Sequence, residues 1–512
     1  MRNIFIIISI LFSVTLWGQD SDGLDRSSAL QLSVDEVAAD PTFAQAYVGV
    51  CVMDSKGQIL AGVNHEKMFV PASNMKLLST GAALHILGPE FTFETSLAYD
   101  GVIEGGILKG NLYVIGGGDP TLASKDSIAA PIERTFAIWE KMVRDAGVRQ
   151  IEGSIVGDGR YFEGPAEEST WLWNDIGTYY GAGVTGLMYY ENMQSFSVSA
   201  GPAVGAPVNI KPHYPDCPWM DIRYACSTGA AGTGDQLYMY TSDLAPVAEI
   251  RGTFGVDRAA KRVDCANKFP EYTCAHYFAD YLRRRGISCS EGAGDFKLMT
   301  DWMESSGQEE LTVLGSTLSP TLDRIAFETN HASNNIYAET LFRILGKTMR
   351  GSACYDSSYV AINDAFAELG IAGLKGMKIQ DGSGLSRQNL ISPEALCRFL
   401  YAMTGSPAFD VFLESLPSPG FNGTLEYNMK GQPVTLRERV KVKSGSMNGV
   451  RCYSGYILPS GIADSIEVGS VEVSGLPEGA LIISIMTNNC TSPTWKVRPL
   501  LDRLMVALAK TN

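Results

Sequence analysis

Residues 47–54, YVGVCVMD, are almost continuously apolar. A half-buried strand would alternate, so this run predicts a strand covered on both faces. A turn at Ser55, Lys56 and Gly57 leads into a second apolar run, QILAGVN, and the two read as a hairpin. Pro71 then introduces SNMKLLSTGAALHILG, in which Met75, Leu78, Ala82 and Ile86 recur at three- and four-residue steps until Gly88 and Pro89 stop the pattern. That spacing predicts a buried helix opening at Ser73.

Between about residue 92 and residue 310 the texture changes to short strand-like runs, glycine turns such as Gly116 to Gly118, and one helix from about Ile132 to Ala146. This stretch reads as inserted, strand-rich material, 92–310, forming two nested smaller domains within a discontinuous main domain, 19–91 and 311–512. From Ser319 two amphipathic helical segments, TLDRIAFETN and IYAETLFRILG, flank the polar break HASNN. Near the C-terminus VTLRERVKVKSG, GVRCYSGYILP and GALIISIMTN read as strands and TWKVRPLLDRLMVALAK as a closing helix. Strands at both ends with helices between them predict an α/β sandwich, an antiparallel sheet flanked by helices and assembled from distant segments.

The 512-residue chain is 45% hydrophobic and 19% charged, the composition of a folded globular protein. Its formal charge of −15 argues against nucleic acid as a partner. Arg2 followed by the apolar run Ile4 to Leu16 has the layout of a secretory signal peptide over residues 1–18. An uncleaved anchor is the alternative, but the run is shorter than the ~20 residues a spanning helix needs. No cysteine follows it, so lipoprotein processing is not indicated. Export to the periplasm or cell envelope makes disulfides permissible for the ten cysteines, and the cluster at 217, 226, 265, 274 and 289 suggests cross-links within one inserted domain. A zinc site is the other reading of such a cluster, but no Cys-x-x-Cys pair or nearby His doublet accompanies it.

Three short constellations carry chemistry. Ser73 and Lys76 are three apart, so on a helix both side chains rise on one face, and a lysine with a lowered pKa can deprotonate the serine. The helix N-terminus also favours negative charge developing beside Ser73. Ser333 and Asn335 are two apart in the polar break and so face one side of an extended or looped backbone, although a polar helix cap explains them as well. Lys443, Ser444 and Gly445 end a run in which Arg439, Lys441 and Lys443 alternate with Val440 and Val442, as on a strand with one basic face. On an edge strand a basic face commonly just discourages aggregation. The small Ser-Gly pair suggests instead that a substrate backbone can lie alongside, with Lys443 and Ser444 holding a terminal carboxylate. The backbone N–H groups of Ser73 and Ser446 are candidates for an oxyanion hole.

Ser-x-x-Lys, Ser-x-Asn and Lys-[Ser/Thr]-Gly, in this order, form the signature of penicillin-binding proteins and active-site serine β-lactamases. With gaps of roughly 260 and 110 residues, the chain resembles the class C low-molecular-mass penicillin-binding proteins, the D-Ala-D-Ala carboxypeptidase/endopeptidases, which carry extra domains between the first two motifs. FVPASNMKLLSTGAAL, GGGDPTL, WLWNDIGTYYGAGV, DGSGLSRQNLISPEAL and KVKSGSMNGV extend the resemblance over nearly the whole mature chain. It implies a β-lactamase/DD-peptidase-like sandwich, Ser73 as nucleophile, Lys76 as its base, and Ser333, Asn335 and Lys443 in support. It also implies that Asp175 and Tyr180, with Met447 and Arg387 nearby, form a pocket for the side-chain ammonium of a peptidoglycan stem peptide, and that β-lactams inhibit covalently. No cofactor or metal is implied. A β-lactamase shares the motifs but in its commonest class has a much shorter first gap. A non-catalytic wall-binding or β-lactam-sensing protein would have no need of three intact motifs.

Overall fold

The computed structural model describes residues 21–296, 310–371, 376–461 and 475–512. The expected leader, 1–18, lies outside them. No helix among the described residues is long and apolar enough to cross a membrane.

At the centre is a five-stranded, fully antiparallel sheet in the order Val440–Met447, Val450–Ile457, Leu481–Asn488, Tyr47–Asp54, Ile59–Val63. The N-terminal hairpin and three C-terminal strands thus build one sheet. The strand Tyr47–Asp54 lacks alternation for the reason expected from its sequence. Val48, Val50 and Val52 enter a core beneath helices Ser21–Ala38 and Thr494–Thr511, whereas Cys51 and Met53 enter the opposite core with Met75 and Leu78. Successive side chains point to opposite faces, and both faces are covered.

The opposite layer contains helices Met75–Leu87, Leu322–His331, Asn335–Arg350, Tyr355–Glu368 and Pro393–Met403. The break HASNN separates the second and third of these, as the polar interruption predicted. In the C-terminal run VTLRERVKVKSG the outcome differs: Pro433 opens a helical turn, Val434–Arg437, and the strand starts only at Val440. Proline presets the backbone angle of a first helical turn.

Among the described residues, the region between the first two motifs forms four further sheets, of three, three, four and five strands, around two further cores, one built on Leu97, Trp139 and Phe278, the other on Phe196, Ile250 and Phe254. Its outgoing strand Glu94–Tyr99 and returning strand Thr312–Leu318 pair antiparallel. Helix Ile132–Asp145 matches the expectation; helix Pro270–Arg284 was not anticipated. Its buried face is Cys274, Ala275, Phe278, Tyr281 and Leu282, a helical spacing hidden because cysteine and tyrosine replace aliphatic residues.

The expected cross-links in this region are absent: all ten cysteines are free thiols. Cys217 and Cys265 lie in one of the two inserted cores and Cys274 in the other, with Cys226 and Cys289 packed against their margins. They serve as small apolar side chains. Burial pushes the Cys265 thiol up to about 12.

Arg343, fully buried, fastens the inserted region to the main domain. Its guanidinium donates to the carbonyl oxygens of Glu163 (2.5 Å), Val184 (2.9 Å), Pro165 (3.1 Å) and Ala353 (2.7 Å). Arg343→Met should leave these acceptors dry and unpaired, lowering stability by at least about 3 kcal/mol. Denaturant unfolding measures this, and an unchanged midpoint would show that the inserted region docks without the arginine.

Candidate active site

Ser73 lies in the 3-10 turn Ala72–Asn74, just ahead of the helix Met75–Leu87 that carries Lys76. The residue before it, Ala72, has φ +47°, a left-handed backbone that costs a residue with a Cβ. Gly384 (φ +85°) presses on this turn from the other side. A Cβ there would come 1.9 Å from the Ala72 carbonyl oxygen and 3.1 Å from the Ser73 nitrogen, so only glycine fits.

The Lys76 amine is completely buried and 3.0 Å from Ser73 Oγ. Its other partners are Asn335 Oδ1 at 2.7 Å and the Ser383 carbonyl oxygen at 2.8 Å. Both of those oxygens only accept. In a neutral amine the two N–H bonds are therefore spent on them, and the lone pair is left facing the serine hydroxyl. Burial pushes Lys76 down to about 7, against the opposing pull of Glu339 and Asp381.

Glu339 and Asp381 were not singled out in the sequence. Glu339 accepts from the backbone N–H groups of Gly382 (3.2 Å) and Ser383 (2.7 Å), and burial followed by the Asp381 charge pushes its carboxyl up to about 8. Asp381 accepts from the N–H groups of Gly384 and Ser386 and from the Trp171 indole. Together they shape the 381–386 loop that presents the Ser383 carbonyl to Lys76. The one available sequence signal was Asp-Gly-Ser-Gly, a turn-forming run.

Ser333 has φ +57°, Asn334 caps the helix Asn335–Arg350 by accepting from the Tyr337 N–H, and Asn335 is its first residue. The cap residue lies between the two that face the cleft, so one short run both caps the helix and turns Ser333 and Asn335 to the cavity. Ser333 Oγ accepts from Lys443 Nζ at 2.9 Å. Asn335 Nδ2 donates to the Tyr180 carbonyl at 2.8 Å, and Asn334 Nδ2 donates to the buried Glu191 carboxylate at 2.8 Å. Glu191 occurs in a run of left-handed residues, Tyr190, Glu191 and Asn192, that the sequence did not reveal.

Lys443 and Ser444 are on the edge strand Val440–Met447 of the central sheet. Most of the basic face is withdrawn from solvent: Arg439 and Lys443 are buried and Lys441 is half-buried. Burial, then the charge of Lys76, holds Lys443 well below the usual lysine range. Val442 N–H points out of the sheet to the Pro417 carbonyl, so the alternation of an antiparallel ladder turns the N–H groups of Ser444 and Ser446 to the same open edge. Gly445 has a different reason from the one expected. A Cβ there would meet the Pro71 carbonyl oxygen at 2.6 Å and Asn74 Oδ1 at 3.0 Å, so its smallness lets the strand pack against the Ser73 turn rather than against a ligand.

These groups border a cavity of about 880 Å³ whose walls include Ser73, Ser333, Asn335, Ser444 and Ser446. Asp175, Tyr180, Arg387 and Met447 line it as well. Tyr180 Oη donates to Asp175 Oδ1 at 3.1 Å, and Arg387 donates to the Asn448 carbonyl at 3.3 Å. Burial raises the Asp175 carboxyl, offset by the Tyr180 hydrogen bond and the Arg387 charge.

Comparison with known proteins gives concordant results. The chain is 27% identical over 498 residues to a D-alanyl-D-alanine carboxypeptidase of Actinomadura sp. (strain R39), covering 94% of this chain and 86% of that protein. It is 24% identical to the penicillin-sensitive carboxypeptidase A of Dictyostelium discoideum, over 99% and 98% of the two chains. The crystal structure of penicillin binding protein 4 (dacB) from Haemophilus influenzae superposes with a TM-score of 0.75 at 21% identity, over 93% of this chain and 98% of that one, which establishes the fold. Since the sequence matches the D-Ala-D-Ala carboxypeptidase 3 (S13) family over residues 30–498, this protein belongs to that family.

Proposed function

We propose that the protein is an exported serine D-Ala-D-Ala carboxypeptidase/endopeptidase, hydrolysing peptidoglycan stem peptides through an acyl-enzyme on Ser73 and acylated there by β-lactams. The observation that carries this reading is the Lys76 amine, buried, pushed down by that burial to about 7, and 3.0 Å from Ser73 Oγ. Lys76 takes the hydroxyl proton as Oγ attacks the carbonyl carbon of the penultimate D-alanine. The N–H groups of Ser73 and Ser446 receive the oxyanion. Ser333 relays the proton taken up by Lys76 to the leaving amine; a water that gives its own proton to Lys76 then cleaves the ester, and that proton returns to Ser73 Oγ. Lys443 and Ser444 hold the terminal carboxylate, and the Asn335 amide holds the substrate backbone.

Asp175, with Tyr180, Met447 and Arg387, forms the pocket for the stem's side-chain ammonium. The segments 19–91 and 311–512 act as the catalytic domain, and 92–310 lends Asp175 and Tyr180 to that pocket. The leader over residues 1–18 takes the enzyme to the cell envelope, where this substrate lies. Several relatives carry names that fit, among them the penicillin-sensitive carboxypeptidase of Dictyostelium discoideum and penicillin binding protein 4 of Haemophilus influenzae, also solved with a β-lactam.

Ser73→Ala should abolish labelling by fluorescent penicillin and release of D-alanine while leaving the unfolding midpoint unchanged; labelling retained at another serine would refute the assignment. Protonated Lys76 cannot accept the serine proton. Acylation should therefore fall about tenfold per pH unit below about 7 and level off above it, as stopped-flow rates would record. Lys76→Ala should slow acylation by ~10²-fold or more and remove that limb of the profile. Asp175→Asn should lower kcat/KM by about 10-fold or more for stem peptides bearing a free side-chain ammonium, yet spare simple penicillins. Equal loss for both substrates would make Asp175 a structural residue.

A further inference from the structure

Beside the catalytic cavity lies a second groove of about 480 Å³, a volume typical of ligand sites, which the chemistry at Ser73 does not use. The two adjoin, sharing Lys125, Tyr179, Tyr180 and Tyr238 in their walls, so the groove continues the cleft onto the inserted region.

Its charges are committed to one another. Lys261 pairs with Asp235 at 2.7 Å, and Lys125 and Arg262 pair with Asp264 at 3.1 and 2.9 Å. Arg262 also donates to the Tyr190 hydroxyl at 2.8 Å and the Tyr214 carbonyl at 3.0 Å. An anionic ligand would have to break these pairs. A neutral ligand rich in hydroxyl and amide groups needs only the unused donor and acceptor positions at their edges.

Tyr179 and Tyr238 in its walls present aromatic rings that the fold leaves partly in water, and Tyr240 and Trp173 continue them just beyond the walls. Tyr238 and Tyr240 are two apart on the strand Tyr238–Ser242, so they share its outer face while Met239 is buried beneath. Tyr238 is 39% exposed and Tyr179, across the groove, 55% exposed. Trp173, 57% exposed, extends the row, its ring centre 6.3 Å from that of Tyr240. The rim is rigid: a Cβ on Gly177 would come 1.8 Å from the Met239 carbonyl oxygen, so only glycine lets this loop lie flat on the strand. Exposed aromatic faces beside self-neutralised polar pairs match a sugar, with its apolar C–H faces and uncharged polar rim.

We propose that this groove binds the uncharged glycan strand of peptidoglycan, next to the stem peptide held in the catalytic cavity. The inference rests on the reading of that cavity as a stem-peptide hydrolase. The test uses Ser73→Ala protein, in which nothing turns over, titrated calorimetrically with a pentapeptide stem and with the same stem carrying its N-acetylglucosamine–N-acetylmuramic acid disaccharide. The disaccharide should tighten binding by about 10-fold or more, the scale of one buried aromatic contact. Adding Tyr238→Ala or Tyr179→Ala, both changes at exposed rings shared with the catalytic cavity, should bring the ratio of the two affinities to about one, whatever either change does to the bare peptide. Equal affinity of the two ligands for the Ser73→Ala protein, or a ratio that survives both substitutions, would each overturn the proposal. Penicillin labelling of the unsubstituted chain tests Ser73 separately: a chain that fails to label but keeps the disaccharide gain retains the groove and loses the hydrolase reading.

Discussion

The complete burial of the Lys76 amine is the constraint around which the site is organised. An ammonium taken out of water without partners costs several kcal/mol, so the protein must either neutralise it or surround it with acceptors. This chain does both. Its partners are Ser73 from the adjoining turn and two groups from remote stretches, Asn335 at a helix start and Ser383 in a loop. Satisfying one nitrogen thereby fixes the relative positions of three segments. The charge of Lys76 adds to the burial that holds the neighbouring Lys443 well below the usual lysine range.

Backbone strain is concentrated at the same place. Ala72 and Ser333 both hold left-handed conformations, and Gly384 and Gly445 close in on the Ser73 turn from two sides. Such conformations cost about 1–3 kcal/mol each and persist only where the surroundings over-determine them. Here the surroundings do so: the 381–386 loop is held by Glu339 and Asp381, and the edge strand is packed directly on the turn.

The inserted region is structurally part of this arrangement. Phe162, Val184 and Met188 enter the same core as Met75 and Leu78, and Arg343 ties three of the region's carbonyls to a main-domain helix. The Tyr180 carbonyl and the Glu191 carboxylate engage Asn335 and Asn334 directly. The loop holding Ser333 is consequently shaped from both sides of the cleft.

Much of this was legible in the chain. The buried strand at 47–54, the helix bearing Lys76, the break containing Ser333 and Asn335, and the strand carrying Lys443 follow from hydrophobic period and turn residues, because those signals act within one element. The three motifs could be named for the same reason. What the sequence could not supply concerns contacts between elements far apart in the chain. Glu339 looked like one more polar residue on an amphipathic helix, Gly445 like room for a ligand, and the clustered cysteines like disulfides. Only tertiary packing placed Glu339 under the 381–386 loop, put the Ser73 turn where a Gly445 side chain would go, and divided the cysteines between separate cores. Hydrophobic patterning reports which face of an element is buried, whereas the partner that covers that face is decided by the folded chain as a whole.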